Sequence, residues 1–417
     1  MDHAFVKPLY FGLKLARHYR SRDVTWMKRD IIRMGPAYVK IGQFVAARTD
    51  VFPKYVTDEL SDLHDNVTPI EYDIVHQLLM RENALDLFET VERTPLSTAS
   101  IGQVHIATLK EHPDVPVVLK IQKPNVREEF ERDFEALEKG IRFLLFIAPR
   151  YRVLKDMYAI VEQSKHSVFQ ELDFENERQN LNTMRRAFEN TGTNVRVPRV
   201  VGRMCTKRLL VMEYVPARRI RKGDDMSALT KAIVVTGMKH GIIHGDLHPG
   251  NVGVCSEESF VLFDCGAVIQ FEPALVKALF SSFITKNSRT ILNVVLTNKL
   301  VYIDREPRGR IQLERAIEYV LSYLDDVDIQ RFFTQIKTDP LLGNSQLDFH
   351  IDPDMFLLSR TITLLEGTCK EYHEQFTYND VLFSMISDLN VLSQYIDVDV
   401  IIQRGLIDLL QQTNRKS

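Results

Sequence analysis

The chain has 417 residues, 45% of them hydrophobic, and a formal net charge of −3. That length and apolar content suffice for two or three folded units and exclude a disordered chain, while the near-balanced charge argues against a nucleic-acid binder. Four cysteines (Cys205, Cys255, Cys265 and Cys369) show no C-x-x-C spacing, which excludes a disulfide framework or a cysteine zinc site and suits an intracellular, reducing compartment.

Residues 1–35 carry eight Lys or Arg against three Asp, with Phe5, Leu9, Tyr10, Leu13 and Ala16 interleaved at near-helical spacing. Simple packing of this stripe is favoured by its modest amphipathicity and by Pro8. Peripheral contact with an anionic membrane is the other reading. The segment lacks the apolar core and cleavage site of a secretory signal, and Asp2 and Asp23 count against an organelle-targeting peptide. Residues 1–90 read as helices broken at Gly35-Pro36, Pro53 and Pro69. From Thr94 to Ile121 the pattern turns to short strands, with a polar turn between Lys110 and Pro116. Residues 126–190 are again helical. Within them Phe143-Leu-Leu-Phe-Ile-Ala148, the longest apolar run, is long enough only for part of a buried helix. It falls short of the roughly eighteen residues of a membrane span. Two strand-like runs lie between Val195 and Val215, and helices dominate from about 225 onward.

The strongest chemical signal is His244-Gly-Asp246-Leu-His248-Pro-Gly-Asn251, with Asp264-Cys-Gly266 beginning thirteen residues after Asn251. Asp246 can accept a hydroxyl proton, and Asn251 and Asp264 offer oxygens to Mg²⁺, the set that phosphoryl transfer requires. The spacing is that of a kinase catalytic loop followed by a metal-binding D-x-G. Phe260-Val-Leu-Phe263 reads as a short buried strand leading into Asp264. Either piece alone is common in turns, where Gly and Asp supply positive φ and side-chain hydrogen bonds. Their combination at this separation is not.

Upstream, Val117-Val-Leu-Lys120 matches the strand whose Lys contacts nucleotide phosphates. Such a Lys needs a helix carboxylate, for which Glu171, Asp173 and Glu177 are candidates. Asp173 and Glu177, i and i+4, share a helix face. Ser97-Thr98-Ala99-Ser100-Ile101-Gly102-Gln103-Val104 occupies the place of the Gly-rich loop, but Ser97 and Ala99 replace its first two glycines. Side chains there narrow the approach of backbone to phosphate. No long activation segment follows Gly266. Together with a connection near Glu213–Pro216, whose Glu213 and Val215 would border the nucleotide, the pattern gives an α+β, bilobal protein-kinase-like fold. It has a small β-containing N-lobe, a helical C-lobe and an N-terminal helical extension. The expected boundaries are 1–90 for the extension, 91–216 for the N-lobe with inserted helices, and 217–417 for the C-lobe.

Four stretches resemble the UbiB-like, AarF-domain atypical kinases. Gly35 to Asp50, containing Lys40-Ile-Gly42-Gln43, resembles that family's K-x-G-Q extension. Ser97–Val104 resembles its Ala-rich loop, with two of the usual alanines replaced by Ser97 and Thr98. Glu171-Leu-Asp173 resembles its E-x-D element, and the H-G-D-x-H-P-G-N loop with D-x-G completes the set; Arg360–Gly367 is also similar. The likeness covers roughly residues 30–370.

The resemblance implies ATP or ADP with Mg²⁺ as cofactors. It implies that Lys120 pairs with Glu177 and touches the phosphates, that Asn251 and Asp264 bind Mg²⁺, and that Asp246 is the base or orients water. Lys40 and Gln43, three apart on one helix face, would reach toward Glu171 and Asp173 as a gating extension. His248 stands where protein kinases have a catalytic-loop Lys, and either aids the γ-phosphate or packs beside Pro249. A small, lipid or isoprenoid partner, support of quinone metabolism and peripheral membrane attachment follow from the resemblance alone. The C-terminal spanning helices that some relatives carry are not expected here. Two alternatives stay open: a small-molecule kinase of the aminoglycoside or choline type, and a nucleotide- and lipid-binding scaffold without turnover. A kinase acting on proteins is disfavoured by the missing glycines and activation segment.

Overall fold

Proline and glycine punctuate the first helices in the computed structural model of the chain. The structure describes Tyr10, Lys14 and residues 23–47, 54–61, 63, 69–147, 152–256, 259–284, 286–323, 338–342 and 347–372. The expected stripe of Phe5, Leu9, Leu13 and Ala16 lies outside these residues, as do Arg48–Asp50. Helix α1 (Met27–Met34) ends at Gly35, whose φ of +121° a side chain would resist, and α2 (Pro36–Ala47) starts on Pro36. Proline at a first helical position costs no hydrogen bond, because that N–H has no partner inside the helix. The short α3 (Lys54–Ser61) and then α4 (Tyr72–Arg81) follow the two remaining prolines. Lys14 is tied to α1 and the residue before it: its Nζ sits 2.5 Å from Asp30 and over the Trp26 ring.

The chain divides into two compact units, Met1–Gln179 with Arg199–Tyr214, and Asn180–Pro198 with Val215–Ser417. In the first unit, β1 (Phe88–Val91), β2 (Ser97–Thr98), β3 (Gly102–Leu109), β4 (His112–Gln122) and β6 (Leu209–Glu213) form one five-stranded sheet. The β2 strand pairs with β3 beside the path β1-β3-β4-β6. The turn before β4 is tighter than the sequence suggests, because pairing already begins at His112 opposite Leu109. Val117, Leu119 and Ile121 alternate onto one face and pack with Val75, Leu79 and Leu209 in a single apolar cluster. Val118, Lys120 and Gln122 point to the other face by the same period of two. All six positions are buried, as expected of a strand covered on both sides.

Helix α5 (Val126–Ile147) runs antiparallel to α6 (Arg152–Glu171). Arg127 lies over the Phe169 ring, Glu138 pairs with Lys165 at 2.7 Å, and Arg142 donates to the Tyr158 hydroxyl at 2.7 Å. Phe130 and Phe134 seal the inner side. One expectation fails here. Phe143–Ile147 is helical but not buried: Phe143 is 58%, Leu144 41%, Phe146 87% and Ile147 61% exposed. The inner stripe of α5 is already filled by Phe130, Phe134 and Ile141, so these residues fall on the outer face; Ala148 lies outside the described residues. Helix α7 (Phe174–Glu189) starts in the first unit and finishes in the second.

In the second unit β5 (Val195–Arg196), β7 (Arg218–Arg219), β9 (Val252–Ser256) and β10 (Ser259–Leu262) make a four-stranded sheet in the order β5-β10-β9-β7. Strand β8 (Ile242–His244) pairs with β11 (Val268–Gln270), and β12 (Val301–Ile303) with β13 (Phe349–Ile351). Ile243 and Ile269 join an apolar cluster built largely from α9 (Pro273–Ile284), α10 (Ser288–Thr297) and α11 (Arg308–Tyr323). Helices α8 (Ser227–His240) and α12 (Pro353–Tyr372) complete the described elements, and Thr230 of α8 lies 3.5 Å from Cys369 of α12. Helix α8 stops at Gly241, which has φ +70°, and Phe271 N donates to Gly241 O at 2.8 Å. A Cβ at 241 would lie 1.8 Å from Phe271 O. The left-handed conformation and the backbone clash act together, so Gly241→Ala is expected to lose about 3 kcal/mol. The check is a lower urea midpoint than that of the parent chain.

Candidate functional site

Lys120 lies mid-strand in β4, opposite Val104 of β3 and Leu210 of β6. Its Nζ is 2.7 Å from both carboxylate oxygens of Glu177 and 5.3 Å from the centre of the Phe174 ring. Lys120 is 8% and Glu177 3% exposed. A pair this buried is held by geometry: deleting one partner strands the other's charge, at about 3–5 kcal/mol. The start of α7 that carries Glu177 is itself pinned. Asp173 Oδ1 accepts Glu175 N at 3.1 Å, Gln122 Nε2 donates to Leu172 O at 2.8 Å, and Phe174 N donates to Lys207 O at 3.1 Å.

The K-x-G-Q segment sits on α2. Lys40 Nζ is 3.0 Å from Glu171 Oε2, at the last residue of α6. Gln43 and Asp173 do not complete the expected set. The Gln43 amide donates to Leu63 O at 2.8 Å, and Asp173 faces Lys207 at 3.6 Å. The reason is local: Asp173 precedes α7 as its cap rather than sharing a helical face with Glu177. Gly42 leaves room for the end of the Leu63 side chain: a Cβ there would meet Leu63 Cδ1 at 2.4 Å, and one of the two would have to shift.

The Ser97–Val104 loop is a hairpin. Ser97 is paired with Val104 and Thr98 with Gln103, and Ala99 N donates to Gly102 O at 2.9 Å around Ser100 and Ile101. A Cβ at Gly102 would come within 3.1 Å of Ile121 O. Two residues here escaped sequence reasoning. Gln103 Oε1 accepts Ile70 N at 2.9 Å, and its Nε2 donates to Ile70 O and to His105 Nε2. His105 Nε2 therefore accepts, and its Nδ1–H donates to Glu92 O at 2.7 Å. Burial holds the His105 pKa below its ordinary value despite the pull of Glu92. Polar residues at alternate positions of an otherwise apolar strand are the one sequence signal that such a chain of bonds leaves.

In the second unit, strand register places the remaining residues. Leu262 is opposite Val252, and Phe263 N donates to Asn251 O at 2.9 Å, so Asp264 follows directly on the partner of Asn251. His244, at the end of β8, is 1% exposed. Its Nε2–H donates to Asp264 O at 2.6 Å, and its Nδ1 accepts Asp246 N at 3.0 Å. Burial lowers its pKa and keeps the ring neutral, as both bonds demand. Asn251 Nδ2 donates to Asp246 O at 3.0 Å, which directs its amide oxygen elsewhere, and Asp264 Oδ1 accepts Gly266 N at 2.7 Å. His248 Nδ1 accepts Gly250 N at 3.1 Å, and its Nε2 lies 3.9 Å from Asp246 Oδ2. The loop-holding role of His248 is thus visible. Glu213 Oε2 accepts Arg199 N at 3.2 Å, and Val215 is buried.

Among the described residues there is no cluster of three or more His, Cys, Asp or Glu able to hold a metal. The Asn251 and Asp264 oxygens instead form a sparse, hard donor set. It fits Mg²⁺, which takes one or two carboxylates and completes its octahedron with water and phosphate oxygens. The Asp246 carboxylate is partly exposed.

Residues 62–295 match the model of the ABC1 atypical kinase-like domain. The chain is 26% identical to the chloroplastic protein ACTIVITY OF BC1 COMPLEX KINASE 7 of Arabidopsis thaliana, over 95% of this chain and 58% of that protein. It is 26% identical to the probable protein kinase UbiB of Cronobacter sakazakii, over 86% of this chain and 69% of the relative. Against the first curated relatives the chain spans between 58% and 65% of their length. The solved structure of Rv3197 from Mycobacterium tuberculosis, a complex with erythromycin, shares the fold with a TM-score of 0.53 at 18% identity, covering 86% of this chain and 93% of that one.

The neutral His105 gives an acid-side signature. Its folded pKa lies below the unfolded value of about 6.5, so the unfolded chain gains the proton first as pH falls. The stability it contributes is whole above pH 6.5 and is lost progressively below. Urea midpoints between pH 7.5 and 5 should fall, and His105→Asn should be less stable at neutral pH yet show a slope shallower by up to about 1.4 kcal/mol per pH unit. His240 and His244 shift in the same direction, so the slope is reduced without vanishing. Identical slopes would remove His105 from the account.

Proposed function

We propose that this chain, which belongs to the ABC1 atypical kinase-like family, is an ATP- and Mg²⁺-dependent atypical kinase or ATPase that acts on a small or lipid molecule. Support of isoprenoid quinone or related lipid metabolism is the biological setting of this reading. The observation that carries it is the buried Lys120–Glu177 pair at 2.7 Å. A lysine fixed in this way presents its charge without the entropy cost of a mobile side chain, which suits a group that contacts phosphates. Val104 and the Ser97–Gly102 hairpin, with Glu213, would line the nucleotide. Asn251 and Asp264 would hold Mg²⁺, which supplies neutralisation of phosphate charge when bound.

Asp246 takes the proton of the attacking hydroxyl or orients a water. Its backbone is clasped by His244 and Asn251, which fixes the point from which the carboxylate side chain departs. The substituted glycine positions, Ser97 and Ala99, keep side chains where protein kinases keep none. They support a reading in which a protein acceptor is not used.

Phosphate release from Mg²⁺-ATP by the purified chain is the direct test. Asp264→Asn should lower turnover at least about 100-fold, since losing a ligand costs more than the 10–100-fold typical of its supporting partners. The fold should be unchanged by circular dichroism. Undiminished Mg²⁺-nucleotide binding in Asp264→Asn would sink the metal assignment. Tight binding without turnover in the parent chain would favour the scaffold alternative.

Lys40→Ala should release α2 from the end of α6. The pair with Glu171 is partly screened by water and worth about 1 kcal/mol, so turnover or the ATP/ADP preference should move about five-fold. If neither moves, the extension does not gate.

A further inference from the structure

Helix α5 changes character along its outer face. Its first half exposes Arg127, Glu131, Arg132 and Glu135, the ordinary coat of a solvated helix. Its last turns expose Phe143, Leu144, Phe146 and Ile147, with Phe146 at 87%. Exposed apolar side chains scattered singly need no explanation, but a contiguous group does. This group is no remnant of the core, because the inner stripe is closed by Phe130, Phe134 and Ile141, all buried.

Charge decides between occupants. From Lys139 to Lys155 the sequence holds five Lys or Arg (139, 142, 150, 152 and 155) and no Asp or Glu, between Glu138 and Asp156; Lys139 is paired with Glu135 at 2.6 Å, which leaves the excess at 142 to 155. Arg142 is exposed and steadied by the Tyr158 hydroxyl, and Lys155 is exposed at the facing end of α6. A second copy of the same face would bring like charges together. An anionic lipid surface accepts both components at once. The apolar end of α5 covers about 7 Å of helix rise, too little to cross a bilayer and matched to the headgroup–acyl boundary. Among the described residues no helix is long and apolar enough to span.

We infer that the C-terminal end of α5 is a membrane-docking face, seating Phe143, Leu144, Phe146 and Ile147 in the interface of an anionic bilayer while Arg142 and Lys155 meet lipid phosphates. The inference is independent of the nucleotide reading and of the basic N-terminal segment. The lever is cooperative: the cations draw the face to the surface, and the apolar group fixes its depth.

The test is co-sedimentation of the full chain with phosphatidylcholine vesicles, with and without phosphatidylglycerol, in the absence of nucleotide. The parent should bind the anionic vesicles, and Phe143→Ser/Phe146→Ser should bind at least about ten-fold less. Both changed residues are exposed, so thermal unfolding should be unaltered. Phe146→Trp gives a second readout, because the single native tryptophan, Trp26, is buried: the emission of the introduced indole should be quenched by lipids brominated along the acyl chain. Equal binding by parent and double variant would place the contact elsewhere and overturn the inference. So would absence of parent binding, unquenched emission from the vesicle-bound Phe146→Trp variant, or a parent dimer that the double variant dissolves. None of these outcomes bears on ATP hydrolysis, which is measured separately.

Discussion

A lysine and a glutamate, both withdrawn from water, tie a strand of the first unit to the start of a helix. Lys120 belongs to a strand and Glu177 to a helix start, 57 residues apart in sequence. Neither charge is tolerable alone at that depth. Whatever positions the strand must therefore also position the helix. The Gln122–Leu172 bond ties the residue ahead of the helix to β4, the Phe174–Lys207 bond ties its first residue to the segment before β6, and the Asp173 cap holds its first turn. The apolar face of β4 secures the strand from the other side.

The second unit solves a related problem with neutral groups. His244 is buried between two backbone polar atoms, accepting from Asp246 and donating to Asp264. Only an uncharged imidazole can do both at once, and burial keeps it so. The two acidic side chains are thus carried by segments joined through one ring, while the β9–β10 register brings Asn251 alongside.

Much of this is legible in the sequence because it rests on short-range rules. The breaks at Gly35-Pro36, the β-rich run Val117–Ile121 and the apolar run before Asp264 each leave a local pattern, and each corresponds to an element boundary or buried strand. What the sequence hides is long-range. Nothing in Phe143–Ile147 tells an inner helical stripe from an outer one until the partner helix is placed, so the sequence predicts a buried segment where an exposed one stands. Gln103 and His105 look like ordinary strand residues until Ile70 and Glu92 close their bonds. Asp173 and Glu177 share a four-residue spacing, yet α7 begins between them, so that spacing has no helical meaning.

Leu63 gives the K-x-G-Q string a reading beyond a list of contacts. Gly42 makes room for the Leu63 side chain, and Gln43 takes the Leu63 carbonyl. Half of the motif is therefore a clasp on one residue of the chain that follows α3, while Lys40 pairs with Glu171 at the end of α6. Two separate sets of contacts are written in four letters. The quantity held constant by the clasp is the combined volume at positions 42 and 63, so a larger residue at one should be tolerated only with a smaller residue at the other. The lysine stands outside that bargain and is matched to Glu171 instead.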